Sequence, residues 1–306
     1  MGVAALADDQ APTAEPRCVL VGLVGRGIQQ SRTPAMHEAE GRARGLAYIY
    51  RLLDNDRMGN GRISLADVVE FAEFFGFDGL NVTFPYKQDI LPLLDGLSPE
   101  AELLGSVNTV VLRDGRRVGH NTDLWGFEEA FRHAMAGAPR GSVLLLGAGG
   151  AGAAVAHALL RGGTRRLMIR DTNGQRAERL AERLAAHFAG GVAEVAGDMR
   201  WAAAQADGIV NATPVGMIKV PGMPIEPALL RPECWVADII YFPLETQLLA
   251  EARRRGCRTM SGDGMAVYQA ARAFELFTGI PPSIDRMRAA FIASGRSPGQ
   301  EHLALA

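Results

Sequence analysis

Val143-Leu144-Leu145-Leu146-Gly147-Ala148-Gly149-Gly150-Ala151-Gly152 is the stretch on which the reading of this chain turns. Four apolar residues in a row, closed by glycine, predict a buried strand. Gly147-x-Gly149-x-x-Gly152 then opens a predicted helix running through Leu160, so the triplet stands between strand and helix. Each glycine has its own use in that place. Gly147 permits the tight turn, Gly149 lets backbone approach a pyrophosphate, and Gly152 lets helix and strand pack closely. The helix start adds free N–H groups and a positive dipole end. Asp171 follows the next predicted strand, Arg166 to Ile169, at the distance of about 20 residues where a carboxylate takes ribose hydroxyls. It would also repel a 2′-phosphate, which favours NAD; Arg170 and Arg176 beside it keep NADP as the alternative. A plain helix-packing loop with a surface aspartate is the competing reading.

Working outward, the alternation continues. A helix is predicted over Arg176 to Phe188, buried strands at Ile209-Val210-Asn211 and Val236 to Ile240, a helix at Leu248 to Arg255 and a strand at Arg258-Thr259-Met260. Right-handed crossovers turn such a succession into a doubly wound parallel sheet. Upstream, strands are predicted at Cys18 to Val24, Tyr48 to Leu53, Gly79 to Thr83, Val107 to Leu112 and Arg117 to His120. The last two flank Asp114-Gly115, a hairpin signal. Helices are predicted at Ala35 to Gly45, Leu65 to Phe75 and Glu128 to Met135, the last linking the halves, and two more at Met265 to Thr278 and Ile284 to Ala293. The class is α/β. The expected division is a disordered extension at 1–16, an α/β substrate domain at 17–126, a Rossmann-type domain at 127–262, and helices at 263–306 returning to the first domain.

Composition narrows the function. The 306 residues are 48% hydrophobic and 22% charged, enough core material for two folded domains. A net charge of -2 lacks the basic face of a nucleic-acid protein. No run of 18 apolar residues predicts a membrane helix, and Met1 to Pro16 has neither the basic start nor the apolar core of a secretory signal. Cys18, Cys234 and Cys257 are too few and too far apart for a disulfide framework or a zinc site; they are expected to be buried, reduced thiols of a cytoplasmic protein without a bound metal.

Polar residues gather where predicted strands of the first half end. Ser31-Arg32-Thr33-Pro34 closes a Gly-rich loop before a helix; Asn81-Val82-Thr83-Phe84-Pro85-Tyr86-Lys87 puts a hydroxyl and an ammonium past a strand; Asn108 is expected inside a strand, and Asn121-Thr122-Asp123 at the end of another. Carboxyl ends of strands are where α/β proteins build sites. Each residue alone also reads as a cap, a turn former or a solvated charge.

Taken together, Ser31-x-Thr33-Pro34, Asn81-Val82-Thr83-x-Pro85-x-Lys87, Val107-Asn108-Thr109, Asn121-Thr122-Asp123, Gly147 to Ala151, Asn211-Ala212-Thr213-Pro214-x-Gly216-Met217 and Gly264-Met265-x-x-x-Gln269 resemble the shikimate dehydrogenase family, over Cys18 to Ile280. The likeness is strongest to its quinate/shikimate dehydrogenase branch. The resemblance implies hydride transfer between NAD and a ring hydroxyl of quinate or shikimate, by a monomer or homodimer with small-molecule partners only. It implies Lys87 and Asp123 as the catalytic pair, and substrate contacts from Ser31, Thr33, Thr83, Asn108, Tyr241 and Gln269 as well. It implies cofactor contacts from Gly147, Ala148, Gly149, Gly150, Ala151, Asp171, Thr213, Ile239, Gly264 and Met265. Biosynthetic members usually carry Ser-x-Ser at the carboxylate clamp and Asn-Arg-Thr for the NADP phosphate. Here Thr33 and Arg170-Asp171-Thr172 stand instead, as in the NAD-linked branch. The rival expectations are a biosynthetic NADP-linked shikimate dehydrogenase and a silent binding protein on the same fold.

Overall fold

The computed structural model describes residues 16–59, 63–188 and 192–295. The extension expected at 1–16 and the polar tail expected from Ser294 onward fall outside them, except for Pro16, Ser294 and Gly295.

The first half alternates β1 (Cys18–Gly25), α1 (Thr33–Ala43), β2 (Ala47–Asp54), α2 (Leu65–Phe74) and β3 (Gly79–Val82). It continues with β4 (Gly96–Leu97), α3 (Pro99–Leu104), β5 (Thr109–Arg113), β6 (Arg116–His120) and α4 (Asp123–Ala134). Its sheet has the order β2-β1-β3-β5-β6-β4. β2, β1 and β3 run parallel, while β5 runs antiparallel to both β3 and β6. The carboxyl ends of β1, β2 and β3 therefore lie on the same edge as the start of β5 and the end of β6. That geometry brings the loops after Gly25, Asp54, Val82 and His120, and the residues just before Thr109, to one rim.

The second half is β7 (Ser142–Leu146), α5 (Gly150–Arg161), β8 (Arg166–Arg170), α6 (Gly174–His187), β9 (Val192–Val195) and α7 (Met199–Gln205). It ends with β10 (Gly208–Asn211), β11 (Trp235–Asp238), α8 (Gln247–Arg254) and β12 (Thr259–Met260). The strands are all parallel in the order β12-β11-β10-β7-β8-β9, so the strand order reverses between β7 and β10. A crevice opens at such a switch point, at the carboxyl ends of the strands.

Two helices, α9 (Asp263–Thr278) and α10 (Ile284–Ala293), close the chain. Ala266, Phe274, Phe277, Met287 and Phe291 from them pack into one core with Val19, Val21, Tyr48 and Tyr50 of the first sheet. Met265 and Tyr268 face the other way and join the core of the second sheet. α9 thus belongs to both halves. It crosses α4 at Gly126, where a Cβ would stand 3.0 Å from the backbone of Met265 and of Gln269.

Four expectations need correction. The linking helix begins at Asp123 rather than Glu128, because the Asn121 side chain accepts the Asp123 N–H at 3.0 Å and starts the helix early. For the same reason Asn121-Thr122-Asp123 lies after a strand rather than ending one. Asn108 precedes β5 instead of sitting in it, although its backbone already pairs on both sides: its N–H donates to the His120 carbonyl and its carbonyl accepts the Val82 N–H. Cys18 is exposed at the first position of β1, ahead of the buried run, whereas Cys234 and Cys257 are buried free thiols. Burial pushes the Cys234 thiol up to about 12. Sequence reasoning does not reach the short elements β4, α3, β9 and α7, none longer than seven residues.

Candidate active site

Lys87 lies in the turn that follows β3, and its Nζ donates to Asp123 Oδ2 at 2.6 Å. The lysine side chain is 25% exposed and that of Asp123 3%, so the ammonium reaches the cleft while the carboxylate forms its floor. The turn is tied down by its backbone: Tyr86 N–H donates to the Thr83 carbonyl and Val107 N–H to the Lys87 carbonyl. Asp123 is the first helical residue of α4, where a carboxylate faces the positive end of the helix dipole. Its other oxygen, Oδ1, accepts the Asn108 amide at 2.8 Å. Asn108 Oδ1 in turn accepts the Thr122 N–H at 2.8 Å and the Thr109 hydroxyl at 3.1 Å. Asn81 donates to that hydroxyl at 3.0 Å and accepts the Tyr50 O–H at 2.8 Å. A continuous chain therefore runs Tyr50–Asn81–Thr109–Asn108–Asp123–Lys87 across β2, β3, β5 and α4. Buried polar groups linked in this way hold one another's geometry.

Two hydroxyls stand on the neighbouring loop. Ser31 Oγ donates to Thr33 Oγ1 at 3.1 Å, and Thr33 opens α1. Thr83 stands between that loop and Lys87, its methyl against Gly25, where a Cβ would collide with it. Gln269 is half-buried on α9, its backbone pressed on Gly126, one turn along from Asp123.

On the second sheet, Gly147 has φ +101°, and a Cβ there would stand 2.7 Å from the Ala212 carbonyl oxygen. A Cβ on Gly152 would collide with the Gly147 carbonyl oxygen, so the helix can approach the turn only because that residue is glycine. Around Gly149 and Gly150 the space is open, and no side chain caps α5. The free N–H groups of this helix start are matched to a pyrophosphate. Asp171 follows β8; its Oδ2 accepts the Ala148 N–H at 2.7 Å and its Oδ1 the Asn173 N–H at 2.8 Å. It buttresses the glycine loop while keeping further lone pairs for a ribose. Arg170 donates to the Ala196 and Gly197 carbonyls at 3.2 and 3.3 Å, which holds its charge away from that carboxylate, and Arg176 is exposed. The residues present fit a dinucleotide.

Thr213 is fixed after β10 by its hydroxyl, which donates to Asn211 Oδ1 at 2.7 Å. Ile239 follows β11; Gly262 packs against its carbonyl, and Gly264 and Met265 begin α9. Tyr241 lies on the same post-β11 loop. Its phenol is raised by the desolvating mass of the cleft and then by the Asp123 charge, with Arg32 opposing. The residue keeps 38% of its surface exposed.

Sequence reasoning misses the contacts of Arg32, which leans on α10 and on the loop after β11. The Arg32 guanidinium lies 4.8 Å from the Phe291 ring centre and 5.6 Å from that of Phe242. It also misses Tyr50, whose only signal is the inward alternation of Tyr48 and Tyr50 along β2. Asn121, one of the polar candidates, spends its amide on the Ser106 backbone and hydroxyl.

Residues 23–110 match the family model for the shikimate dehydrogenase substrate binding domain, and residues 262–290 that for the shikimate 5'-dehydrogenase C-terminal domain. A quinate/shikimate dehydrogenase (NAD(+)) of Corynebacterium efficiens is 49% identical over 282 residues, covering 90% of this chain and 98% of that protein. The chain belongs to the shikimate dehydrogenase family. A shikimate dehydrogenase (NADP(+)) of Streptomyces avermitilis is 51% identical over 272 residues, covering 88% of this chain and 94% of that one. Among solved structures, quinate dehydrogenase from Corynebacterium glutamicum in complex with NAD superposes with a TM-score of 0.85 at 44% identity, covering 90% of this chain and 99% of that one. As a shikimate dehydrogenase family member, the chain is an NAD(P)-linked oxidoreductase acting on a CH–OH donor. Among the described residues, no helix is long and apolar enough to cross a membrane.

Proposed function

We propose that this chain oxidises a ring secondary hydroxyl of quinate or shikimate with NAD, reversibly, to 3-dehydroquinate or 3-dehydroshikimate. The observation that carries the reading is the Lys87–Asp123 pair held by Asn108, beside a second sheet that carries a dinucleotide-type glycine loop braced by Asp171. When bound, the dinucleotide supplies the hydride acceptor. The protein's share is orientation, exclusion of water and movement of one proton.

In its neutral form, Lys87 Nζ accepts the hydroxyl proton on its lone pair as the ring C–H hydrogen leaves with its electron pair, becoming the ammonium, and returns the proton in the reverse direction. One N–H of Nζ is spent on Asp123, which aims the lone pair of the neutral amine at the substrate hydroxyl and, once the ammonium has formed, leaves two N–H groups for the substrate oxygen. Asp123 compensates the ammonium and fixes its place. Asn108 prevents the carboxylate from turning, because both of its amide atoms are engaged around it. Ser31 and Thr33 clamp the substrate carboxylate, and Thr83 and Gln269 hold ring hydroxyls. Tyr241 closes the carboxylate side from across the cleft. Gly147 to Ala151 and Asp171 hold the dinucleotide; Thr213, Ile239, Gly264 and Met265 line its nicotinamide end. In this scheme residues 17–126, joined by 263–306, bind substrate and 127–262 bind cofactor. Closure of the cleft excludes water. The protein works in the cytoplasm, where unpaired thiols stay reduced, as a monomer or homodimer.

A second reading, NADP-linked reduction of 3-dehydroshikimate, is favoured by the NADP(+)-linked shikimate dehydrogenases among the relatives, the Streptomyces avermitilis protein being one. Against it, the carboxylate of Asp171 faces the ribose position and Arg170 is tied back to Ala196 and Gly197. A two-by-two steady-state assay, quinate or shikimate with NAD or NADP, separates the readings. The expected result is turnover of both acids with kcat/KM clearly higher for NAD. Preference for NADP establishes the second reading, and no oxidation of either acid with either cofactor overturns both.

A further inference from the structure

The loop that carries Ser31 and Thr33 is built around a buried anion of the protein's own. Asp54 ends β2 beside Gly25, its register partner on β1, and is 2% exposed. Its Oδ1 accepts the Gly27 N–H at 3.0 Å and the Asp56 N–H at 3.1 Å. Its Oδ2 accepts the Ile28 N–H at 3.2 Å and the Gln29 side-chain amide at 2.9 Å. Burial opposes the charge, yet these donors outweigh it and hold the carboxyl below the ordinary aspartate range. Gly27 has φ +63°, and its N–H and the next converge on one carboxylate, the concave arrangement that backbone offers to anions. Ser31 inherits this placement, because its N–H donates to the Ile28 carbonyl at 2.9 Å.

A loop meant to receive a carboxylate would ordinarily spend those backbone donors on it. Here an internal carboxylate already occupies them. The incoming anion is left with hydroxyls, which aim at one direction and do not attract anions indiscriminately. We infer that Asp54 is a positioning residue for substrate recognition: it fills the anion nest of the 25–31 loop and thereby sets where the Ser31–Thr33 clamp stands and which donors the substrate carboxylate meets. This rests on the functional reading above, in which that clamp takes the carboxylate.

The test compares the acids with their methyl esters, which keep the ring hydroxyls and lose the charge. In Asp54→Asn, KM for quinate and shikimate should rise about tenfold, the worth of one or two misplaced contacts, with kcat changed much less. KM for the esters and the affinity for NAD, read by quenching of protein fluorescence, should stay within about twofold of wild type. On a Ser31→Ala background the substitution should add little, since both act through one clamp. Gln29→Ala, a milder change on an exposed side chain, should move KM for the acids the same way by about two- to threefold, and it decides the matter if Asp54→Asn does not fold. An equal rise for acids and esters, or full additivity with Ser31→Ala, overturns the inference and leaves Asp54 a structural bracket. A wild-type enzyme inactive on both acids instead removes the functional reading, and this inference with it.

Discussion

Lys87, Asp123, Asn108, Ser31 and Thr33 must reach one another from separate loops on the rim of the first sheet, whereas Gly147, Gly149 and Gly152 act from a single loop by having no side chain at all. The first site is a network of side-chain hydrogen bonds running from Tyr50 to Lys87. The second is backbone, shaped by close approach at Gly147 and Gly152 and braced by one carboxylate, Asp171. The contrast follows from what each rim must hold. A proton must pass between particular atoms of one small ring, so geometry is set atom by atom. A pyrophosphate needs only a row of N–H groups at a helix start. Buried charge differs in the same way: hydrogen bonds hold Glu40 of α1 and Asp54 of β2 below the ordinary carboxylate range, while in the second half burial of Asp238 outweighs its bonds and raises it.

The largest effect expected from this contrast is chemical. Lys87→Ala should lower kcat by ~10² to 10⁴, the usual worth of a positioned acid–base group, with KM for quinate changed little. Near-wild-type turnover would make the side-chain rim a binding surface only. Gly147→Ala tests the other rim, because an added Cβ meets the Ala212 carbonyl at 2.7 Å and the positive φ strains any other residue. A strain of about 1 to 3 kcal/mol should weaken NAD about ten- to a hundredfold in a binding titration and spare shikimate binding. Equal loss of both ligands would show that the two rims are not separable.

A finer test lies in the clamp. Threonine is stiff at χ1 and carries a methyl where a second serine would leave space. Thr33→Ser should shift the kcat/KM ratio toward shikimate by about tenfold at saturating NAD. An unchanged ratio would leave Thr33 as the opening residue of α1 and nothing more.

The smallest effect is on stability. For Glu40, burial opposes the charge, but the Ser283 N–H, Arg44 and Arg286 outweigh it and keep the carboxyl below its ordinary range. Such a depressed group stabilises the fold above its unfolded value of about 4 and ceases to as pH falls through its folded one. Asp238 has the opposite sign: its burden at neutral pH eases as pH falls through its raised folded value. Hydrogen exchange, corrected for intrinsic rates, should therefore show β1 and β2 losing protection below pH about 4 while β10 and β11 hold theirs. The reverse order would break the contrast in buried charge.

Legibility in the sequence follows the same division. The glycine loop, its flanking strand and helix and the distance to Asp171 are contiguous features with a local physical cause, and the second sheet is legible from them nearly intact. The first sheet is legible in outline. Its strands and most of its helices stand close to where hydrophobic runs put them, but the start of α4 does not, because the Asn121 side chain accepts the Asp123 N–H and overrides helix periodicity there. Asp54 and Arg32 give no signal and Tyr50 only its inward alternation with Tyr48, since a buried tyrosine, a strand-end aspartate and a loop arginine are ordinary in sequence.

The sequence by itself determined the α/β class, the doubly wound second half and the residue types available for chemistry, because periodicity and glycine placement act over a few neighbours. Only the tertiary structure decided that Lys87 meets Asp123 at 2.6 Å, that Asp54 fills the 25–31 loop, and that Arg32 reaches Phe291 of α10 and Phe242 of the loop after β11. Those contacts join segments far apart along the chain. Strand order and the return of α9 and α10 set them, and no local stretch of sequence encodes either.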